Sequence, residues 1–229
     1  MNRVRRIGMA GVGLLLAGAS MLGAARSAEY AHPMITEVMF HVPSGEEADA
    51  NRDGRRDATG DEFIEIGNPN ATPMNLKGYR IVSRLSHAAE SPKKGVYFTF
   101  PDFELPAHCV VVVFNGYGAT IPGPVGTSDR APDGPSEVFG NGFVFTMEMK
   151  ARNNALSNSG DFVLLLDPEG RPVDGLYWGD PSPPAPNAAD AEGRAIYRLQ
   201  EVKRNPKGSV QRMRPDDELV EHTAIDGTP

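Results

Sequence analysis

The chain has 229 residues, with 23 lysines and arginines against 30 aspartates and glutamates, which gives a formal net charge of −7. A surface this acidic repels nucleic acid and anionic membranes, and it favours solubility and cation binding. The single cysteine excludes an internal disulfide, so stability must come from the core and from any bound metal.

The first 28 residues have the layout of a cleaved secretory signal peptide. Three arginines precede an apolar run at 7–22, and small residues follow as far as Ala28. The run is too short and too rich in glycine and alanine for a membrane span. We therefore predict a secreted, periplasmic or otherwise extracytoplasmic protein with no membrane insertion after cleavage. Loss of the leader removes four arginines and leaves 19 basic against 30 acidic residues.

Residues 29–229 are predicted to form a single all-β domain. Short β-like runs recur there, each closed by turn residues, and no long helical periodicity appears. The nine runs are 34–40, 62–66, 76–83, 96–103, 109–114, 143–147, 162–166, 173–178 and 209–213. About nine short strands predict an antiparallel β-sandwich of two sheets. A turn at 167–170 should join two of them into a hairpin.

Three loops separate these strands. The first is the acidic loop 46–62, and the second is a long excursion at 116–142 that is rich in glycine, proline and aspartate. The third, 180–193, has four prolines and polyproline tendency. We predict that it is an exposed connection, with a proline-rich recognition peptide as the alternative.

The acidic loop has the pattern of a calcium site. Side-chain oxygens occupy loop positions 1, 3, 5 and 9, at Asp49, Asn51, Asp53 and Asp57. Calcium takes about six to eight oxygens from a tightly curled loop, and Gly54 at position 6 permits the sharp turn. The carbonyl of Arg55 would fill position 7. Asp61 or Glu62 would supply the late carboxylate, because Gly60 stands where an EF-hand has glutamate.

No helical pattern flanks this loop, so we predict an EF-like loop that enters a strand and binds calcium as a structural ion. The alternative is a solvated acidic turn without a metal. Seven acidic residues lie at 46–62 against three arginines, and carboxylates this dense repel one another unless a cation lies among them.

The order of motifs along the chain resembles that of the bacterial lamin-tail domain family. Residues 35–39, 61–68 and 75–81 resemble its opening strands, and 155–170 resemble its most recognisable segment. The resemblance covers about residues 33–215. It implies an immunoglobulin-like sandwich that serves as a binding or accessory module, and it carries over no catalytic residues.

We therefore expect a non-enzymatic module that binds a protein or cell-surface polymer. No two histidines have metal-ligand spacing, and no HExxH, CxxC or G-x-S-x-G pattern occurs. Glu62 and Glu65 lie on opposite faces of the predicted strand 62–66, so they cannot act together as the two carboxylates of a glycosidase. Glu65 is instead predicted to pair with Arg80 or Arg212. One alternative is a carbohydrate-binding module with Trp178 in an aromatic platform, although burial of Trp178 is favoured. An accessory domain of a calcium-dependent hydrolase or nuclease is less favoured.

Overall fold

The chain folds into two β-sheets that pack face to face. The computed structural model describes residues 30–91, 93–185 and 197–222. The predicted leader and much of the proline-rich loop lie outside these described residues. The strands are β1 (Met34–Met39), β2 (Phe63–Gly67), β3 (Met74–Asn75), β4 (Arg80–Ser83), β5 (Tyr97–Thr99), β6 (Glu104–Leu105), β7 (Val110–Phe114), β8 (Val125–Gly126), β9 (Phe143–Thr146), β10 (Asp161–Leu166), β11 (Pro172–Trp178), β12 (Arg198–Glu201), β13 (Ser209–Gln211) and β14 (Val220–His222).

Helical structure is sparse in the described ranges. The α-helix α1 (Arg84–Ala89) follows β4, and short 3-10 helices lie at Glu46–Ala48 and Glu137–Phe139. Within these ranges no helix has the length and apolar character that crossing a bilayer requires.

The larger sheet has seven strands in the order β14-β13-β1-β2-β7-β9-β8, and the smaller has five in the order β12-β11-β10-β4-β5. β3 and β6 form a separate two-stranded sheet. The predicted all-β sandwich is confirmed, and all nine predicted runs contain strands. The hairpin of β10 and β11 is also confirmed, with Gly170 at φ 86° in its turn.

Three strand pairs are parallel, which departs from the purely antiparallel prediction. β9 pairs in parallel with both β7 and β8, and β12 pairs in parallel with β11. A parallel pair needs a connection of about a dozen residues or more between its strands. The long excursion after β7 and the proline-rich segment after β11 provide connections of that length.

The main core lies between the two sheets. Ile64 and Ile66 of β2 point into it, as the alternation of β2 predicts, and Phe63 points to the opposite face. Trp178 is fully buried and stacks on Phe40 with 3.7 Å between ring centroids. Its indole N–H donates to the carbonyl of Ser157 at 2.8 Å. Burial of Trp178 is thus confirmed, and this side chain cannot form an exposed aromatic platform.

A buried ion pair joins the two sheets. Asp174 of β11 binds Arg212, which follows β13 in the other sheet, and both side chains are almost completely buried. The same carboxylate accepts the backbone N–H of Ile35 at 2.8 Å, while Arg212 Nε donates to the Ile35 carbonyl at 2.6 Å. The predicted pairing of Arg212 with Glu65 is therefore wrong, because closure of the sandwich brings Asp174 to the guanidinium instead.

Candidate functional site

The acidic loop winds its backbone around its own side-chain oxygens. Asp49 accepts hydrogen bonds from the N–H groups of Asp53 at 3.2 Å and Gly54 at 2.9 Å. The Asn51 Oδ1 accepts the same Asp53 N–H at 3.0 Å, and Asp53 accepts the N–H of Arg55 at 2.9 Å. Gly54 lies at φ 88°, the left-handed region that its predicted position required. The first half of the loop is therefore tightly curled, as its spacing predicts.

Asp61 closes this curl from the other end. Its two carboxylate oxygens accept the N–H groups of Asn51 at 2.9 Å and Asp57 at 2.5 Å. The Asn51 side-chain amide donates in turn to the carbonyl of Gly60 at 3.1 Å. Asn51 and Asp61 are fully buried, so these contacts hold the two ends of the loop together.

Asp57 is bound on both of its carboxylate oxygens. One accepts the N–H groups of Thr59 at 2.9 Å and Gly60 at 3.0 Å, and the other binds Arg152 at 2.7 Å. Burial opposes ionisation of Asp57, but these donors outweigh it and lower the pKa of the carboxyl. Asp57 is thus a stable anion at the edge of the loop.

Glu62, also a predicted ligand, faces away from the loop. Its carboxylate accepts the N–H of Leu156, at 3.2 and 3.0 Å from its two oxygens, and the side-chain amide of Asn115 at 3.3 Å. Asp61 and Glu62 are adjacent residues just before β2, yet their carboxylates accept hydrogen bonds from different parts of the chain. The structure places Asp61 with the loop carboxylates and Glu62 with the core.

Burial and neighbouring negative charges disfavour ionisation of Asp61 and Glu62. Burial, with a smaller effect from the negative charges of Asp49 and Asp53, raises the pKa of Asp61 to about 6 despite the N–H groups that its carboxylate accepts. Burial raises the pKa of Glu62 as well. A cation among these carboxylates would favour their charged forms.

The loop carboxylates do not surround one common centre. In residues 30–91, 93–185 and 197–222, no group of three or more histidine, cysteine, aspartate or glutamate side chains is arranged to hold a metal ion. The predicted donors Asp49, Asn51, Asp53, Asp57 and Asp61 share one loop, yet their oxygens bind backbone N–H groups. Except for the Asp57 oxygen that accepts both Thr59 and Gly60, each carboxylate oxygen of these donors keeps a lone pair that a cation could take if the side chains rotated toward one centre.

Comparison with known families agrees with this fold. The family model described as Lamin Tail Domain matches residues 26–180, more than half of the chain. The chain belongs to the lamin tail domain family. The predicted resemblance is therefore confirmed, and with it an immunoglobulin-like module. No curated relative matches the chain.

Buried carboxylates hold the most recognisable lamin-tail segment, 155–170, against the sandwich. Glu62 caps the N–H of Leu156, as described above. Asp161 accepts the N–H groups of Ser157 and Arg84, each at 3.0 Å. The sequence did not predict these roles of Glu62 and Asp161, because each is simply an acidic residue at or just before the start of a strand.

One serine–histidine–carboxylate group occurs in the described structure, at the outer face of the larger sheet. The carboxylate of Glu37 accepts the Ser209 hydroxyl and lies 3.3 Å from Nδ1 of His222. The Ser209 hydroxyl lies 3.4 Å from that same Nδ1. A relay for nucleophilic attack uses the two different ring nitrogens. This group is therefore a largely buried hydrogen-bonded contact of the lamin tail domain and does not have the geometry of a catalytic triad.

Proposed function

We propose that the mature chain is an exported, non-catalytic lamin tail domain that binds a protein or cell-surface polymer and takes calcium as a structural ion. The curled acidic loop supports this function most directly. Its five donors come from 13 consecutive residues, 49–61, and two of them, Asn51 and Asp61, are fully buried. Export is supported by the leader-like first 28 residues, and the family match begins at residue 26, beyond most of them.

Calcium would stabilise the domain by binding the folded loop and not the unfolded chain. The ion would draw Asp49, Asp53, Asp57 and Asp61 toward one centre, with the Asn51 amide oxygen and the Arg55 carbonyl completing the set. A calcium ion enclosed in this way has little open coordination for chemistry, which favours a structural role over a hydrolytic one.

Calcium should raise the unfolding temperature of the mature protein. Ligand at about 100 times its dissociation constant adds about 2.7 kcal/mol to the free energy of unfolding, which corresponds to several degrees in a domain of this size. We expect this shift between calcium and chelator in differential scanning calorimetry. Asp53→Ala should abolish it.

The matched control is Asp102→Ala, since Asp102 is an exposed carboxylate paired with Lys77 far along the chain from the loop. This variant should keep the calcium shift of the unmodified protein. An equal unfolding temperature in calcium and chelator for the unmodified protein would exclude the structural ion.

The calcium shift should also depend on pH. Because the pKa of Asp61 is about 6 in the metal-free fold, a proton competes with the ion below that value. We expect the calcium-induced rise in unfolding temperature to be smaller at about pH 5 than at about pH 7.5. Asp61→Asn should weaken calcium binding and remove most of this pH dependence. An undiminished shift at the lower pH would contradict a role for Asp61.

A further inference from the structure

A groove with basic walls lies beside the acidic loop, and neither the sequence patterns nor the family match assigns it a role. Its volume is about 790 Å³, within the range of small-molecule sites. The excursion after β7 forms one wall, the segment after β9 forms another, and Arg55 of the acidic loop lies at its edge.

The lining of the groove is more basic than the chain as a whole. Of its 14 lining residues, the four basic ones are Arg55, Arg130, Lys150 and Arg152, and one is acidic, Glu148. In the whole chain acidic residues outnumber basic ones by 30 to 23. This concentration of positive charge in a concave site favours an anionic ligand, because the cleft focuses the field of the basic side chains.

Three of the basic groups are arginines that the surrounding structure holds in place. Arg55 donates to the carbonyl of Gly118 at 3.3 Å, and Arg130 donates to the carbonyl of Val125 at 3.3 Å and pairs with the exposed Asp133 at 3.4 Å. Arg152 binds Asp57 and lies over the ring of Tyr117, 5.1 Å from its centroid. A planar guanidinium has five N–H donors, so each of these arginines keeps N–H groups for a ligand, and its geometry matches carboxylate and phosphate oxygens.

Two of the chain segments that line the groove are in close contact with each other. The chain after β7 and the chain after β9 run side by side, with the N–H of Met149 donating to the Asn115 carbonyl at 3.2 Å. They approach so closely that a Cβ on Gly116 would lie 2.1 Å from the Thr146 hydroxyl oxygen. A groove built on such contacts has little freedom to lose when a ligand binds.

We propose that this groove binds an anionic carbohydrate polymer through the carboxylate or phosphate groups that it carries. The lining is mostly polar and includes the hydroxyls of Thr127 and Thr146, which suits a ligand rich in hydroxyl groups. A long nucleic acid duplex would meet the acidic remainder of the surface. The assignment deepens the proposed function by naming its ligand class, and it rests on that function only in taking the domain to be a binding module.

Isothermal titration calorimetry with oligosaccharides of known charge tests this assignment. The probes are a hyaluronan tetrasaccharide, which carries carboxylates, a phosphorylated mannotetraose, which carries phosphates, and chitotetraose, which is neutral. At least one anionic probe should bind, and which of them does identifies the anion. Its affinity should fall as salt rises from about 0.05 M to about 0.5 M, because the attraction is screened. Chitotetraose should not bind.

The groove variant combines Arg130→Ser with Lys150→Ser, since neither side chain contacts the acidic loop in an ion pair or side-chain hydrogen bond within the described structure. We expect it to lose at least about tenfold in affinity for the anionic probe, as two positive contacts are removed. The matched control is Lys93→Ser with Lys94→Ser, exposed lysines outside the groove, and it should retain the affinity of the unmodified protein.

Three results would overturn the groove assignment: no binding of either anionic probe, equal binding by the groove variant, or tighter binding of a single-stranded oligonucleotide of matched charge. The calcium measurement separates this failure from failure of the proposed function. A calcium shift without anion binding would reject only the ligand class, whereas anion binding without a calcium shift would reject only the structural ion.

Discussion

Replacement of Asp174 by alanine is expected to destabilise the fold by about 3–5 kcal/mol, the cost of breaking a buried ion pair by removing one partner. The variant leaves the Arg212 guanidinium charged in a nearly dry site between the sheets. It also removes the acceptor of the Ile35 N–H. Arg198, 3.6 Å from the same carboxylate, loses its partner as well. Urea denaturation of the mature protein measures the change.

The partner variant and a surface pair provide the controls. Arg212→Met should also be strongly destabilising, because the longer contact with Arg198 would then be the one ion pair left to the buried Asp174 carboxylate in the described structure. Asp102→Ala breaks an ion pair that is exposed on both sides and should leave the urea midpoint nearly unchanged. If Asp174→Ala and Asp102→Ala shifted the midpoint equally, the buried pair would have no special part in joining the sheets.

The second large effect is a loss of stability on raising the pH, which we assign to Glu65. This residue is buried on the outer face of the larger sheet, where Thr36 donates a hydrogen bond to it at 2.5 Å. Burial and, to a lesser extent, the neighbouring Glu37 raise its pKa to about 7, against the lowering effect of the Thr36 hydrogen bond. No ion pair to Glu65 forms in the described structure, so the predicted pairing with Arg80 or Arg212 is wrong.

Stability falls with rising pH because the folded state binds the Glu65 proton more tightly than the unfolded state does. The folded state binds it with a pKa of about 7, against an ordinary value of 4.5 for glutamate. The stability that protonated Glu65 contributes is fully present below the pKa of the unfolded state. It is lost as the pH rises through the pKa of the folded state. The decline amounts to about 3 kcal/mol at about 1.4 kcal/mol for each pKa unit. Glu65→Gln has no carboxyl to ionise, so it should remove this part of the decline.

The measurement compares the free energy of unfolding of both proteins at about pH 5 and about pH 8 in urea. Calcium is kept saturating, so that Asp61 contributes equally to both. The variant should be the more stable protein at the higher pH, and the two should differ little at the lower pH. Parallel pH profiles for the two proteins would show that Glu65 does not titrate in this range.

The local patterns of the chain were sufficient to predict the strands that line the core. Alternation puts Ile64 and Ile66 on one face whatever strand packs against them, because side-chain period depends only on extended backbone. β3, β6 and β8 are two residues long, too short for an alternation to be recognised. β12 and β14 were also missed, since their pairing with β11 and β13 depends on the rest of the sheet.

In the candidate site, too, local features were predictable from the sequence and long-range contacts were not. The spacing of Asp49, Asn51 and Gly54 predicts the curl of the acidic loop, because its hydrogen bonds join residues at most five apart. The choice between Asp61 and Glu62 stayed open from sequence. It depends on the Leu156 backbone, 94 residues along the chain from Glu62, and that contact exists only after the segment before β10 docks.

The amino-acid sequence by itself therefore determined the sandwich class, the family and the curl of the acidic loop, since each follows from short-range periodicity, turn chemistry or motif order. Only the tertiary structure decided which charges meet. Asp174 finds Arg212 across the two sheets, Glu65 is buried without a cation, and four basic residues from three separate segments surround one groove. These outcomes depend on which distant segments pack together, because burial and neighbouring charges, not residue type alone, set the energy of an ionised group.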